Sequence, residues 1–389
     1  MVSASSKKSN IKIKTGLPCI ISYVDQKISN DYIETIAVYV HLGPEIPQHL
    51  VLNIERHKGL FPSQNIVLIS SENWERKLPN EVENFVIPIE ELDNDLFNEM
   101  SKHLDFTFRK GFWQFTIQRL FVLEKLHLQY PSRSMLHIES DVILMPNFPW
   151  KKFENLPYLA WLPVNAESDI AALVFSPKLK RTAELVEYLV RFASLNPNTN
   201  DMLALRHFAV MNPDKHRYLP STTNQTLRKD QTNPLPEGLS ISNFGGVFDP
   251  LAFGMWNFGQ DPKNFFGIRR RYFLDKSHFL DPSKTSLSYT KSELVDSDNI
   301  RVFNLHLHSK NLKLFCNNWE ASLNNGLREA KSEKNKYNFN PKIFISLMKE
   351  NGSKSTLWEL LANFPGLKRL ETHSIGILLK KKIKKIMKL

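Results

Sequence analysis

The stretch Met135–Phe148, MLHIESDVILMPNF, decides how the chain is read. Met135, Leu136 and Ile138 open it as an apolar run. Val142-Ile143-Leu144-Met145 resume that run before Pro146 and Asn147 close it. An apolar run bounded by turn residues reads as a buried strand. Glu139 and Asp141 stand around Ser140 at its end, and residues i and i+2 of a strand share a side. Two desolvated carboxylates held together repel each other and raise a pKa. A divalent cation, which prefers oxygen ligands, relieves that repulsion. Acids at a strand end also serve as turn residues facing water, and this stretch alone leaves both readings open.

Upstream, Ile36–His41 reads as the first strand, broken by Gly43-Pro44. A helix starting at Pro47 and running through Ile54 and Arg56 ends at Gly59 and Pro62. It leads to a second strand, Asn65–Ser70. Such a β-α-β unit builds a parallel sheet covered by helices on both faces. Val86–Ile89 reads as a short third strand, and Gly16–Ser22 as a strand closing a basic N-terminal lead. Phe108–Leu128 reads as a long helix with Phe112, Phe115, Ile117, Leu120, Val122, Leu123 and Leu126 on its apolar face. Arg109, Arg119 and Lys125 punctuate it. The helix delivers the chain to the acidic strand, so Glu139-Ser140-Asp141 stand at the carboxyl edge of the sheet, where open α/β sheets bind ligands. No GxGxxG follows the first strand and no GKS/T occurs, which argues against a dinucleotide-binding dehydrogenase and a P-loop NTPase.

Downstream, Tyr158–Pro163 and Ala171–Ser176 read as strands and Leu179–Ala193 as an amphipathic helix. Another helix runs from Asn200 or Asp201, either of which suits a cap, through Phe208. Pro213–Glu237 reads as one long loop of the lid kind. Asn243–Gly267 gathers glycine, aromatic rings, Asp249 and Asp261. Glycine lets backbone approach a ligand and aromatic faces suit sugars and bases, although a packed, turn-rich core segment has the same composition. Arg269-Arg270-Arg271 is either phosphate-facing or solvated. Ile300–Lys310 alternates strictly, with Phe303, Leu305 and Leu307 on one side and Asn304, His306, His308 and Lys310 on the other. Two imidazoles and an ammonium on one face suggest a metal ligand beside a phosphate-binding cation. Beyond Asn311 the chain is mostly helical. In 375–389, Ile375, Leu379, Ile383, Ile386 and Leu389 fall near helical spacing among lysines. That reads as an anchor for an anionic membrane surface, or as a solvated tail.

The 389 residues, 42% hydrophobic, suffice for a large core. The formal charge of +11 admits anionic partners. Much of the excess lies in the lead and tail rather than in an aromatic-interleaved patch, so no nucleic-acid partner is expected. Two cysteines without a CxxC exclude a thiolate zinc site and a disulfide scaffold. With no signal-like apolar segment in MVSASSKKSNIKIK and no stretch of membrane-spanning length, the expectation is a cytoplasmic protein, peripheral at most on the cytoplasmic face of a membrane.

The order and spacing of four motifs resemble the GT-A-fold glycosyltransferases, the nucleotide-diphospho-sugar transferases. They are Phe108-Arg109-Lys110-Gly111-Phe112-Trp113, His137-Ile138-Glu139-Ser140-Asp141-Val142, the segment from Phe248-Asp249 to Asp261-Pro262-Lys263-Asn264, and Asn304 to Lys310. The likeness runs from about Ile36 to Lys310. It implies an α/β fold, a mixed, mostly parallel sheet flanked by helices, with a catalytic domain over 31–315; a lead over 1–30 and a helical extension over 316–389 lie outside the resemblance. It implies transfer of a sugar from a UDP- or GDP-sugar to a glycan or glycolipid acceptor. Mn²⁺ or Mg²⁺ would be held by Glu139, Asp141 and His308. Lys310 would contact phosphate; Val40, His41, Arg119 and Ser140 would complete the donor site. Asp249, or failing it Asp261, would serve as the base that an inverting transferase needs. The acidic triplet departs from the family's DxD and END forms, and Pro250-Leu251 replace small residues. A relative without turnover that binds a nucleotide or glycan is therefore the alternative.

Overall fold

A computed structural model describes residues 35–43, 45–70, 78–79, 82–86, 95–104, 112–197, 199–228, 237–261, 268–270, 275–332 and 337–339. Strand β1 (Ile36–His41) pairs in parallel with β2 (Ile66–Ser70) on one side. On its other side it pairs in parallel with β4 (Met135–Ile138). Beyond β2 lies β3 (Glu83–Val86), also parallel. Beyond β4 the sheet becomes mixed. β7 (Asp169–Ser176) runs antiparallel to β4, β6 (Leu159–Pro163) antiparallel to β7, and β8 (His216–Tyr218) parallel to β6. The order is β3-β2-β1-β4-β7-β6-β8. The expected mixed, mostly parallel architecture is what the chain forms. The segment expected as one loop over 213–237 contributes β8 to that sheet.

Burial on both faces explains why these strands read as nearly unbroken apolar runs. On one face Ile36, Val38 and Val40 pack against Ile117, Leu120 and Leu123 of α3 (Phe112–Gln129). α4 (Leu179–Leu195) and α5 (Asp201–Met211) complete that layer, with α2 (Asp95–Ser101) beside α4. On the other face Ala37 and Tyr39 meet Leu50 and Ile54 of α1 (Gln48–Leu60) and a set of phenylalanines, Phe148, Phe153, Phe244 and Phe248. Asn200 caps α5 by accepting the Leu203 N–H at 3.0 Å.

Two expected strands are each cut in two. After β4 the acidic triplet forms a turn, and β5 (Val142–Leu144) leaves the main sheet to pair antiparallel with β14 (Asn304–His306). The alternating segment over 300–310 is likewise divided. Its first part, β13 (Arg301–Val302), joins a small sheet between β9 (Gly246–Val247) and β12 (Glu293–Val295), whose outer strand is β11 (Ser288–Thr290). A two-stranded pair, β10 (Ile268–Arg270) with β15 (Tyr337–Phe339), stands apart. The short α6 (Ile241–Phe244) precedes β9, and α7 (Ala252–Phe258) follows it.

Leu305 and Leu307 share a third apolar cluster with Phe253 and Phe258, and with Trp319, Leu323 and Leu327 of α8 (Trp319–Ser332). A Cβ on Gly254 would stand 1.8 Å from the His306 carbonyl oxygen, so glycine lets α7 press directly on β14. Among the described residues no helix is long and apolar enough to cross a membrane. Several expectations lie outside the described residues: the strand over Gly16–Ser22, residues Ile87–Ile89, Phe108–Gly111 and Arg271, and every helix after 340, the basic tail included.

Candidate active site

The sheet order reverses between β1 and β4, since β2 lies outside one and β7 outside the other. Ligand clefts of open sheets form at that point, beyond the carboxyl ends of the strands. The turn Glu139-Ser140-Asp141 sits there. Its backbone is tied on all sides: Glu139 N–H donates to the Ala172 carbonyl at 3.0 Å, Val142 N–H to the Glu139 carbonyl at 3.0 Å, and Leu307 N–H to the Asp141 carbonyl at 2.7 Å.

Helix α1 adds a polar stripe that sequence reasoning missed. His49 Nε2 stands 3.1 Å from Ser140 Oγ. Asn53 Nδ2 donates to the Val142 carbonyl at 2.8 Å and the Ser140 carbonyl at 3.3 Å. Arg56 Nη2 donates to the Leu144 carbonyl at 2.6 Å. Leaving the main sheet deprives these carbonyls of strand partners, and the stripe supplies them. Three buried polar residues at i, i+4 and i+7 were the available signal.

The turn gathers one imidazole with two carboxylates. His306 Nε2 is 3.5 Å from Glu139 Oε2 and 3.4 Å from Asp141 Oδ1. One ligand atom from each of the three lies within 4.8 Å of the others. The other ring nitrogen, Nδ1, meets the Pro250 carbonyl at 3.2 Å, which aims Nε2 at the carboxylates. The sequence reading named His308 as the imidazole ligand; the residue against the carboxylates is His306. His308 borders the same cavity, but its Nδ1 accepts the Asp261 N–H at 2.9 Å. The physical reason is that β14 ends at His306. The chain then turns, with Lys310 N–H on the Leu307 carbonyl at 2.7 Å and Lys310 in the left-handed region at φ 51°. Strand alternation therefore does not carry on to 308.

Two carboxylates and an imidazole suit a divalent cation of the Mn²⁺ or Mg²⁺ kind better than a thiophilic one. Without an ion, positive side chains hold the acids together. Burial works to lower the His306 pKa, but Asp141 and Glu139 raise it to about 9. Burial works to raise that of Asp141, and His306 and Lys310 outweigh it. Lys310 Nζ lies between two acids, 3.9 Å from Asp141 and 3.8 Å from Asp261. Arg119 donates to Glu139 Oε1, to Asp201 Oδ2 at 2.9 Å and to the Thr116 carbonyl at 3.0 Å. Its guanidinium is spent on positioning acids, although it borders the cavity.

The two expected bases part company. Asp249 is fully buried and does not border the cavity. Its Oδ1 accepts the N–H groups of Leu251 (3.1 Å) and Phe253 (2.9 Å), and its Oδ2 those of Gly254 (2.9 Å) and His306 (3.1 Å). It fastens the start of α7 to β14 and has no lone pair aimed at a substrate. Burial raises its pKa against the N–H groups of His306, Phe253 and Gly254. Asp261 does border the cavity, with Lys310 beside it. Val40 packs in the core, and His41 Nε2 donates to the Glu45 carbonyl at 2.8 Å; neither reaches the cavity. Ser140 does.

The cavity measures about 340 Å³. Charged groups line it together with Phe112, Trp113, Ile170, Met202 and Leu251. The Phe112 and Trp113 rings meet edge to face, 5.0 Å between centroids, at the N-terminal end of α3. A lining that mixes charged, apolar and aromatic groups suits a ligand that carries both charge and C–H faces.

No protein-family model matches the chain, and no curated protein matches it. Among solved structures, one similar to it is described as a glycosyltransferase involved in the glycosylation of the major capsid of PBCV-1. That likeness has 13% identity and a TM-score of 0.30, over 47% of this chain and 81% of the other. The PaToxG glycosyltransferase is similar at 10% identity and a TM-score of 0.31, over 50% and 76%. Likenesses of that size leave the chemistry to be argued from the side chains.

Proposed function

We propose that the protein is a metal-dependent glycosyltransferase, with residues 31–315 as its catalytic domain, acting on a UDP- or GDP-sugar and a glycan or glycolipid acceptor. The observation that carries this reading is the convergence of Glu139, Asp141 and His306 within 4.8 Å at the sheet's carboxyl edge, in a cavity that Phe112 and Trp113 also line. The motif resemblance supports it independently of the geometry. Glu139, Asp141 and His306 would hold Mn²⁺ or Mg²⁺, which would offset the charge that develops on the leaving nucleoside diphosphate. Lys310, on its strained backbone, swings from the two carboxylates to the phosphates. Arg119 fixes Glu139. Asp261 accepts the proton of the acceptor hydroxyl. Phe112 and Trp113 shield the apolar lining from water and offer a face to a sugar ring.

Hydrolysis and transfer are measured against a panel of nucleotide sugars with Mn²⁺, with and without EDTA, for wild type and Asp141→Asn. Loss of turnover with chelator and in the variant is expected. Turnover indifferent to both removes the metal from the reaction. Binding of UDP with Mn²⁺ but no turnover with any donor favours a silent nucleotide-binding relative. The basic segment 375–389 is proposed to hold the enzyme on anionic lipid. Co-sedimentation with phosphatidylserine vesicles should fall when it is deleted.

A further inference from the structure

Helix α5 is a wall between two cavities. Met202 borders the one just described, and the next residue, Leu203, borders a second of about 460 Å³. The start of β7 repeats this: Ile170 borders the first cavity, while Asp169 backs Arg206, which borders the second. A helix with its side chains is about 10 Å across, so the two spaces are next-door neighbours.

Arg206 is fixed at the base of the second cavity. Its Nε donates to the Ala166 carbonyl at 3.1 Å and its Nη1 to the Tyr218 hydroxyl at 2.9 Å, 3.8 Å from Asp169 Oδ1. Nη2 makes no hydrogen bond among the described residues. The guanidinium is therefore pre-oriented with one edge unspent, and its side chain is only 13% exposed. Its counter-charge is incomplete, because burial pushes the Asp169 carboxyl up to about 7. Around it stand polar groups with hydrogen-bonding capacity left. Asn196 donates through Nδ2 to the Phe192 carbonyl, which leaves its amide oxygen as an acceptor. His207 engages the Tyr188 hydroxyl through Nδ1, which leaves Nε2. Phe192 and Val210 add apolar surface, and Glu167 stands at the rim.

A fixed cation, polar donors and acceptors and an aromatic face match a ligand with one carboxylate, several hydroxyls and a C–H face. Glu167 accepts hydroxyls and disfavours a doubly charged phosphate. We propose that this second cavity binds a hexuronate residue of the acceptor glycan, remote from the end that receives the transferred sugar, through its carboxylate on Arg206. The acceptor role rests on the transferase reading; the saccharide site does not.

Calorimetry with trigalacturonate and with its fully methyl-esterified form tests the assignment. The acid is expected to bind and the ester to bind weaker by about tenfold or more, one charge-assisted contact's worth. Val210→Glu puts a negative charge at the cavity mouth on a residue 58% exposed. It should weaken trigalacturonate by a similar factor and leave binding of UDP with Mn²⁺ unchanged. Arg206→Gln should do the same, and Val210→Glu carries the test if that variant unfolds. Equal binding of acid and ester, no binding of either, or an unaffected Val210→Glu overturns the proposal. Binding of trigalacturonate without any binding of UDP and Mn²⁺ keeps this site and removes the transferase reading.

Discussion

Replacing Asp249 with asparagine separates a structural carboxylate from a catalytic one. The carboxylate accepts four backbone N–H groups, from Leu251, Phe253, Gly254 and His306. An amide keeps one oxygen, so two of the four donors face an NH₂ group instead. Hydrogen bonds to a charged group are worth about 1.5–3 kcal/mol each, so about 3–6 kcal/mol is lost. Relief of the burial that raises this carboxyl's pKa offsets part of that loss. A net at the lower end of the range, about 3 kcal/mol, lowers the midpoint by about 6 °C at roughly 2 °C per kcal/mol. Thermal unfolding by circular dichroism reads this directly. Because the same carboxylate holds the His306 N–H, Mn²⁺ affinity should fall with it. Asp261→Asn is the counterpart: its midpoint stays with wild type while kcat drops about a hundredfold or more. If Asp249→Asn melts with wild type yet has lost turnover, Asp249 is a chemical group and the fastening role is wrong.

Other perturbations follow the same geometry. Gly254→Ala sets a Cβ against the His306 carbonyl, so β14 must shift; Mn²⁺ binding, read by electron paramagnetic resonance, should weaken along with the thermal midpoint. Asn53→Leu leaves the Val142 carbonyl without its side-chain donor, at about 1–3 kcal/mol, and should loosen the acidic turn; a variant with wild-type stability and Mn²⁺ affinity would deny the stripe on α1 any role. Asp169 gives the pH dependence. Its folded pKa is raised to about 7, above the roughly 3.9 of an unfolded aspartate, so the folded state holds the proton more tightly. Its stabilising contribution is complete below about pH 4 and is lost as pH rises through about 7. Urea midpoints of wild type minus Asp169→Asn should therefore shrink from pH 5 to pH 8, and a constant difference refutes the shift.

The sequence was legible where the chain obeys one periodicity. β1, α1 and β2 are announced by apolar runs and by Pro47, because burial on both faces of a sheet leaves little room for polar residues. It was illegible where the chain changes direction. Alternation over 300–310 pointed to His308 as the imidazole beside the carboxylates, yet phase alone could not say that the strand stops at His306, which is the imidazole that stands against them. Asp249 drew attention as an acid beside glycines, although an acid just ahead of the apolar helix start Ala252-Phe253 also suits the N–H groups of a first turn, and its carboxylate accepts those of Phe253 and Gly254. Arg119 reaches acids 20 and 82 residues away in sequence, a pairing that no window contains.

Apart from Asp249, these slips share a location. The turn at 139–141, the end of β14 and the left-handed Lys310 all border one cavity. Regular strands and helices direct side chains into cores. To bring Glu139, Asp141 and His306 to one point, the chain has to leave regular structure on both strands that supply them, and it recovers the lost backbone bonds through Asn53, Arg56 and Asp249. Local rules are expected to fail at a functional site for that reason. The side chains that make good the backbone are thus as much a part of the site's specification as the three that gather at its centre.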